Sequence, residues 1–90
     1  MAIFLIAPTV AGVGPSIAAA LEARVPGNYR QLPLGEFLAS FNGTSKELSD
    51  SLGITSGAVG QAVVVSISGY FGRAPNDVWE WLAQRGGKTP

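Results

Sequence analysis

Residues 44–68, TSKELSDSLGITSGAVGQAVVVSIS, decide the fold, because this stretch is compatible with two different structures. In the first structure, a helix, a tight turn at Gly53 and a second helix form a helix-turn-helix over residues 44–63, as in many DNA-binding regulators. In the second structure, one helix ends at Gly53, a loop follows, and residues 62–68 form a strand of a small α/β sandwich. Which functions are open to the chain depends on this choice.

The residues themselves favour one helix followed by a strand. Thr44 and Glu47 have the T-x-x-E spacing of a capping box, which predicts a helix start, and Gly53 predicts the helix end. A second helix over residues 56–63 would contain two glycines, each costing about 1 kcal/mol relative to alanine, and no arginine or lysine. Residues 62–68 contain three consecutive valines, and β-branched residues favour strands. The sequence therefore favours the second structure and leaves the helix-turn-helix as the alternative.

The flanking sequence predicts further strands and helices. In chain order they are a strand over residues 3–7, a helix over 15–25, an extended segment over 29–41 and a last helix over 76–85. The first strand is apolar at every position, which is typical of a central strand covered on both faces. The extended segment is interrupted near Pro33 and Gly35. The last helix places Val78, Trp81 and Leu82 on one face, which we expect to be buried.

This alternation predicts an α+β fold, a small ferredoxin-like sandwich with the order β-α-β-α-β-α. The domain covers residues 1–85, and residues 86–90, GGKTP, form a flexible tail. The strands at 3–7 and 62–68 are both apolar on two faces, so helices packed on one side leave the other face of the sheet bare. We expect a second copy of the chain to cover that face, in a homodimer.

The composition excludes several kinds of binding and catalytic chemistry. Six lysines and arginines balance six aspartates and glutamates over 90 residues, and this zero net charge argues against binding to nucleic-acid phosphates. The chain has no cysteine and no histidine, which excludes disulfides, thiol nucleophiles, thiolate and imidazole metal ligands and the commonest general base. We accordingly expect no metal, no cofactor and no catalytic residue.

The N-terminal apolar run ends at Pro8, which makes it too short for a membrane span, and it lacks the basic residues of a signal peptide. We therefore expect no membrane association and a cytoplasmic location, in a bacterium or in a bacterium infected by a phage.

The candidate binding residues are Tyr70, Phe71 and Arg73, which lie between the strand at 62–68 and the last helix. Two aromatic rings and a guanidinium before a helix N-terminus can combine stacking with an anion contact. In the alternative interpretation, Tyr70 and Phe71 only pack on the last helix.

Other motifs carry less chemistry. The Gly12-Val13-Gly14 loop after the first strand has the form of a phosphate loop, but the third glycine is absent and Pro15 removes one N–H donor, so we expect a simple turn. Glu36 is a lone carboxylate, which we expect to be exposed. The two tryptophans, Trp79 and Trp81, are expected to anchor a core or an interface.

Four segments carry a resemblance to a known group: IFLI at residues 3–6, EFLASF at 36–41, TSKEL at 44–48 and AVVV at 62–65. This pattern resembles the small Cas2-like proteins, and the resemblance implies a ferredoxin-like fold that dimerises through its sheet. In the nuclease members, an acidic residue after the first strand helps to bind metal. Residues 7–9 read Ala-Pro-Thr at that place, so the resemblance does not extend to metal-dependent nuclease activity.

The leading functional hypothesis is a small non-enzymatic interaction module that acts as a homodimer and binds a protein or a small anionic ligand. The alternative is a helix-turn-helix DNA-binding regulator. A divergent nucleotide-handling or nuclease-like enzyme ranks third, because histidines are absent and acidic residues are missing where such chemistry needs them.

Overall fold

A computed structural model describes residues 2–69, 72 and 76–85. The elements are β1 (Ala2–Pro8), α1 (Gly14–Arg24), β2 (Tyr29–Gln31), β3 (Phe37–Phe41), α2 (Ser45–Leu52), β4 (Ala62–Ile67) and α3 (Asn76–Gln84). The fold is therefore α+β, and the predicted helices and strands are found within a few residues of their expected bounds. Among the described residues, no helix has both the length and the apolar character needed to span a bilayer.

The strands form one antiparallel sheet in the order β2-β3-β1-β4. β1 lies between β3 and β4, which confirms the prediction of a central strand. Ile3 and Phe4 point to opposite faces of the sheet, and both are buried, with 5% and 1% of their surface exposed. β2 and β4 lie at the two edges.

The extended segment over residues 29–41 is two strands rather than one interrupted strand, so the prediction of three strands was wrong. β2 and β3 form an antiparallel pair joined by a turn over residues 32–36. Gly35 takes φ +106° in this turn, and its N–H donates to the carbonyl of Leu32 at 3.0 Å. Pro33 has no N–H to give to a strand ladder, so the chain reverses at the place where the sequence shows only an interruption.

The first core lies on the face of the sheet that α1 and α2 cover. Its buried members are Phe4, Ile6, Ile17, Leu21, Val25, Phe37, Ala39, Leu48, Leu52 and Ile54. The buried residues of each helix are four apart, Ile17 and Leu21 in α1 and Leu48 and Leu52 in α2, so each helix presents one apolar stripe to the sheet.

The second face of the sheet is covered by α3 of the same chain, which corrects the expectation that the helices leave this face bare. Val78, Trp81 and Leu82 pack on Ile3 of β1 and Leu38 of β3, and all five are buried. The predicted apolar face of the last helix is therefore confirmed, but this helix covers the surface that we expect from the sequence to bind a second copy. Trp79 is partly buried against the same cluster.

Two arginines hold α3 in place. Arg85 donates from Nη2 to the carbonyl of Gly27 at 2.7 Å, and its guanidinium carbon lies 4.7 Å from the centre of the Trp81 ring. Arg30 of β2 forms an ion pair with Asp77 in the first turn of α3. These contacts tie both ends of α3 to β2 and to the loop that precedes it.

The segment that decides the fold contains one helix. The N–H of Glu47 donates to Thr44 Oγ1 at 3.1 Å and the N–H of Thr44 donates to Glu47 Oε1 at 2.8 Å, which completes the predicted capping box. Gly53 ends α2 with φ +84°, residues 53–59 form turns, and β4 begins at Ala62. The second helix that a helix-turn-helix over residues 44–63 requires is thus replaced by turns and a strand. The physical reasons are the left-handed glycines and the β-branched run.

Gly60 makes the closest approach in this segment, and we expect Gly60→Ala to lower the free energy of unfolding by about 2 to 4 kcal/mol. Gly60 takes φ +115°, and an added Cβ would lie 2.4 Å from Cγ1 of Val13. The new methyl group therefore meets both backbone strain and a clash. Gly57→Ala is the matched control, because Gly57 has φ +82° with open space around it, and it should cost about 1 kcal/mol. Urea denaturation followed by circular dichroism compares the two, and equal losses would contradict the close packing of Gly60 on Val13.

Candidate functional site

The predicted binding residues Tyr70, Phe71 and Arg73 lie outside the described residues. They belong to the connection between β4, which ends at Ile67, and α3, which begins at Asn76. Binding at these residues, including binding of a small anionic ligand, stays a prediction.

The described surface that stands out is the outer edge of β4. Residues 60–69 contain no charged residue and no proline. Natural sheets usually protect an exposed edge with lysine, proline, a bulge or a very short strand. The opposite edge follows this pattern, because β2 is three residues long and carries Arg30. β4 is six residues long and has none of these protections in its sequence.

Two valines of β4 point to the face of the sheet that α3 covers, but they lie beyond the area that α3 reaches. Val63 is 52% exposed and Val65 is 45% exposed. Their neighbour Ile67 packs partly against the α3 core, together with Leu5 of β1. The exposed valines therefore extend an apolar surface from the α3 core to the edge of the sheet.

The hydrogen-bond pattern shows which backbone groups of β4 face outward. The N–H of Thr9 donates to the carbonyl of Gln61 at 3.0 Å, and these residues are opposite each other when the β1–β4 register is continued by one pair. Hydrogen-bonded and non-hydrogen-bonded pairs alternate along an antiparallel ladder. The backbone groups of Val63 and Val65, like those of Gln61, therefore point toward β1 and form hydrogen bonds with it. The intervening residues Ala62, Val64 and Ser66 direct their N–H and C=O groups away from the sheet.

Within residues 2–69, 72 and 76–85, no backbone group accepts from or donates to these outward groups. Such a row of free donors and acceptors is a template for one more strand. The edge thus combines backbone pairing capacity with apolar side chains, which is what strand addition requires.

Two clefts flank the turn between β2 and β3. The larger, about 700 Å³, is open and contains the Arg30–Asp77 ion pair. Leu34, which is 90% exposed, borders both clefts. Because each charge in the larger cleft is already paired with the other, the cleft offers no net charge to a ligand.

The smaller cleft, about 260 Å³, lies between the Gly12-Val13-Gly14 loop and the turn. Glu36 also lines this cleft and is half-buried there, whereas the sequence predicts an exposed side chain. Its carboxylate opposes the binding of an anion at the start of α1, where Pro15 lacks an N–H. This geometry supports the interpretation of the glycine loop as a turn.

Titratable groups with shifted pKa values lie elsewhere on the surface. The hydrogen bond that Tyr29 donates to Glu22 raises the pKa of the phenol. The ion pair between Lys46 and Asp50 on α2 raises the pKa of the lysine and lowers that of the aspartate. Among the described residues, no group of three or more acidic side chains is placed to hold a metal ion.

Comparisons with family models, with curated proteins and with solved structures find no match for this chain. Kinship with the Cas2-like proteins therefore stays a prediction, and the candidate site rests on the geometry of β4. The signal for this site in the sequence is the absence of charge over residues 60–69, but the sequence does not reveal that β4 lies at an edge.

Proposed function

We propose that this protein is a small interaction module that forms a homodimer through β4 and acts by binding another protein. The observation that supports the proposal is the uncharged edge of β4, whose outward backbone groups have no backbone partner among the described residues. Pairing with a second strand would supply partners to the outward groups of Ala62, Val64 and Ser66 and remove Val63 and Val65 from water.

The proposed partner at the edge is a second copy of the chain, because two uncharged, apolar β4 edges are complementary to each other. β4 brings no charge to the contact, so two copies meet without like-charge repulsion. A twofold axis joins identical surfaces in a closed pair, which leaves no β4 edge open for further addition. The surface for another protein would then lie on the remainder of the dimer, which includes the connection between β4 and α3 with Tyr70, Phe71 and Arg73.

We further infer that the fold is ferredoxin-like. β1 and β2 run parallel with β3 between them, and β3 and β4 run parallel with β1 between them. These split β-α-β units, connected by α1 and α2, support a ferredoxin-like sandwich to which α3 is added. A dimer formed through the sheet would also agree with the resemblance to the Cas2-like group.

Sedimentation equilibrium over a concentration series from micromolar to millimolar tests the homodimer. We expect the mass to rise from 9.3 kDa, the mass of one chain, toward about twice that value. The contact through one edge strand falls in the small class of interfaces, under about 1,200 Å², so the dimer should dissociate on dilution. Added salt should leave the association unchanged, because β4 carries no charge to be screened. A mass of one chain at the highest concentration would contradict the proposal.

A further inference from the structure

We infer that two copies pair antiparallel through β4 with Val64 on the twofold axis, so that Val63 of one copy lies opposite Val65 of the other. This register rests on the homodimer proposed above and adds the atomic arrangement of its interface. It places the two most exposed apolar side chains of the strand against each other.

The alternation of inward and outward backbone groups along β4 limits the registers in which two β4 strands can pair. Only Ala62, Val64 and Ser66 direct their N–H and C=O groups outward. In an antiparallel ladder, residues that exchange two hydrogen bonds face each other, so even-numbered residues must lie opposite even-numbered residues. A pairing centred on the middle of the strand, between Val64 and Val65, would set outward groups against inward ones. The axis must therefore pass through a residue.

Three residues lie near enough to the middle of the strand to serve as the centre. An axis at Val63 would set Val65 opposite the polar Gln61. An axis at Val65 would set Val63 opposite Ile67, which already packs partly against the α3 core. An axis at Val64 sets both exposed valines opposite each other, and this arrangement removes the most apolar surface from water.

The Val64-centred pairing also satisfies the backbone. Val64 pairs with its own copy, and Ala62 pairs with Ser66 in each direction, which gives about six hydrogen bonds because each such pair exchanges two. The pairs between Val63 and Val65 are of the non-hydrogen-bonded kind, in which the Cα atoms lie about 4.5 Å apart and the side chains are closest. Four valine side chains would then form one apolar cluster across the axis.

Cysteine cross-linking can test the register, because the chain has no cysteine of its own. Val63→Cys and Val65→Cys are made as separate chains, and each is oxidised in a glutathione buffer alone and as an equimolar mixture. Directly opposite Cβ atoms in such a pair lie within about 5.5 Å and can form a disulfide, whereas diagonal ones lie about 7 to 8 Å apart. We expect disulfide-linked dimers in the mixture and few or none with either chain alone.

The other outcomes distinguish the register from the homodimer itself. Efficient cross-linking of Val63→Cys alone would place the axis at Val63, and that of Val65→Cys alone would place it at Val65; either would overturn the register. A reduced mixture that has the mass of a dimer but does not cross-link would also overturn the register, while the homodimer stands. A reduced mixture and unmodified chain that both remain at 9.3 kDa would overturn the proposed homodimer itself.

Hydrogen exchange on the unmodified chain gives a second test that needs no substitution. The outward amides of Val64 and Ser66 should exchange more slowly at high protein concentration than at low concentration. The amide of Val65, which bonds to β1 in the monomer, is the internal control and should change less. An unchanged exchange rate at Val64 in a sample of dimeric mass would overturn the pairing through β4.

Discussion

Trp81→Ala is expected to lower the free energy of unfolding by about 3 to 5 kcal/mol, which is the usual cost of removing a buried aromatic side chain. Trp81 is 8% exposed and lies in the core that joins α3 to Ile3 and Leu38. The substitution also removes the ring that lies beneath the guanidinium of Arg85. Because a small domain has only about 5 to 15 kcal/mol of stability, the midpoint of urea denaturation should fall sharply.

Trp79→Ala is the control in the same helix. Trp79 is only partly buried against the same cluster, so less apolar surface is lost and the cost should be about 1 to 2 kcal/mol. Both variants remove an indole from α3, and Trp81 differs in its deeper burial and in its contact with Arg85. If the Trp79 variant were equally or more destabilised, the packing of α3 through Trp81 would be wrong.

The local patterns of the sequence were sufficient to predict the helices and most of the strands. The capping box of Thr44 and Glu47 and the left-handed Gly53 are found in the structure as predicted. Such signals work because their causes are local: each depends on hydrogen bonds or backbone angles within a few residues.

The arrangement of the elements could not be predicted in the same way. β1 and β4 are both apolar on two faces, yet β1 lies at the centre of the sheet and β4 at an edge. The alternation of side chains shows which residues avoid water, but it does not show which strand lies beside them. The same limit explains why the prediction of an uncovered sheet face was wrong. The sequence of α3 shows that the helix has an apolar face, but it does not show which face of the sheet that helix covers.

Part of the candidate site could be predicted from the sequence. The alternation of side chains along a strand predicts that Val63 and Val65 share one face, and in the structure both lie on the face that α3 covers. Their exposure depends on where α3 ends over the sheet and on the edge position of β4. Both are long-range properties, and both come from the structure.

Val65→Lys is expected to weaken dimerisation by about 10- to 100-fold while leaving the monomer folded. In the proposed dimer, each new ammonium group would have to leave water beside Val63 of the other copy, with a second ammonium group across the axis. In the monomer Val65 is 45% exposed, so the lysine stem can lie along the strand while its charge stays in water. The change in the free energy of unfolding should remain within about 1 kcal/mol.

Val10→Lys provides a closely matched control, because Val10 is 43% exposed and lies in the loop between β1 and α1 rather than in β4. It makes the same chemical change at nearly the same exposure, so any general effect of one added charge appears in both variants.

Sedimentation equilibrium should show weaker association for Val65→Lys and an unchanged dissociation constant for Val10→Lys. Equal weakening in both variants would mean that the added net charge opposes association wherever it is placed. Unchanged association of Val65→Lys would mean that the dimer uses a surface other than β4. Only a loss confined to Val65 identifies the edge strand as the interface, because the two positions share their residue type and exposure and differ in whether a second strand can reach them.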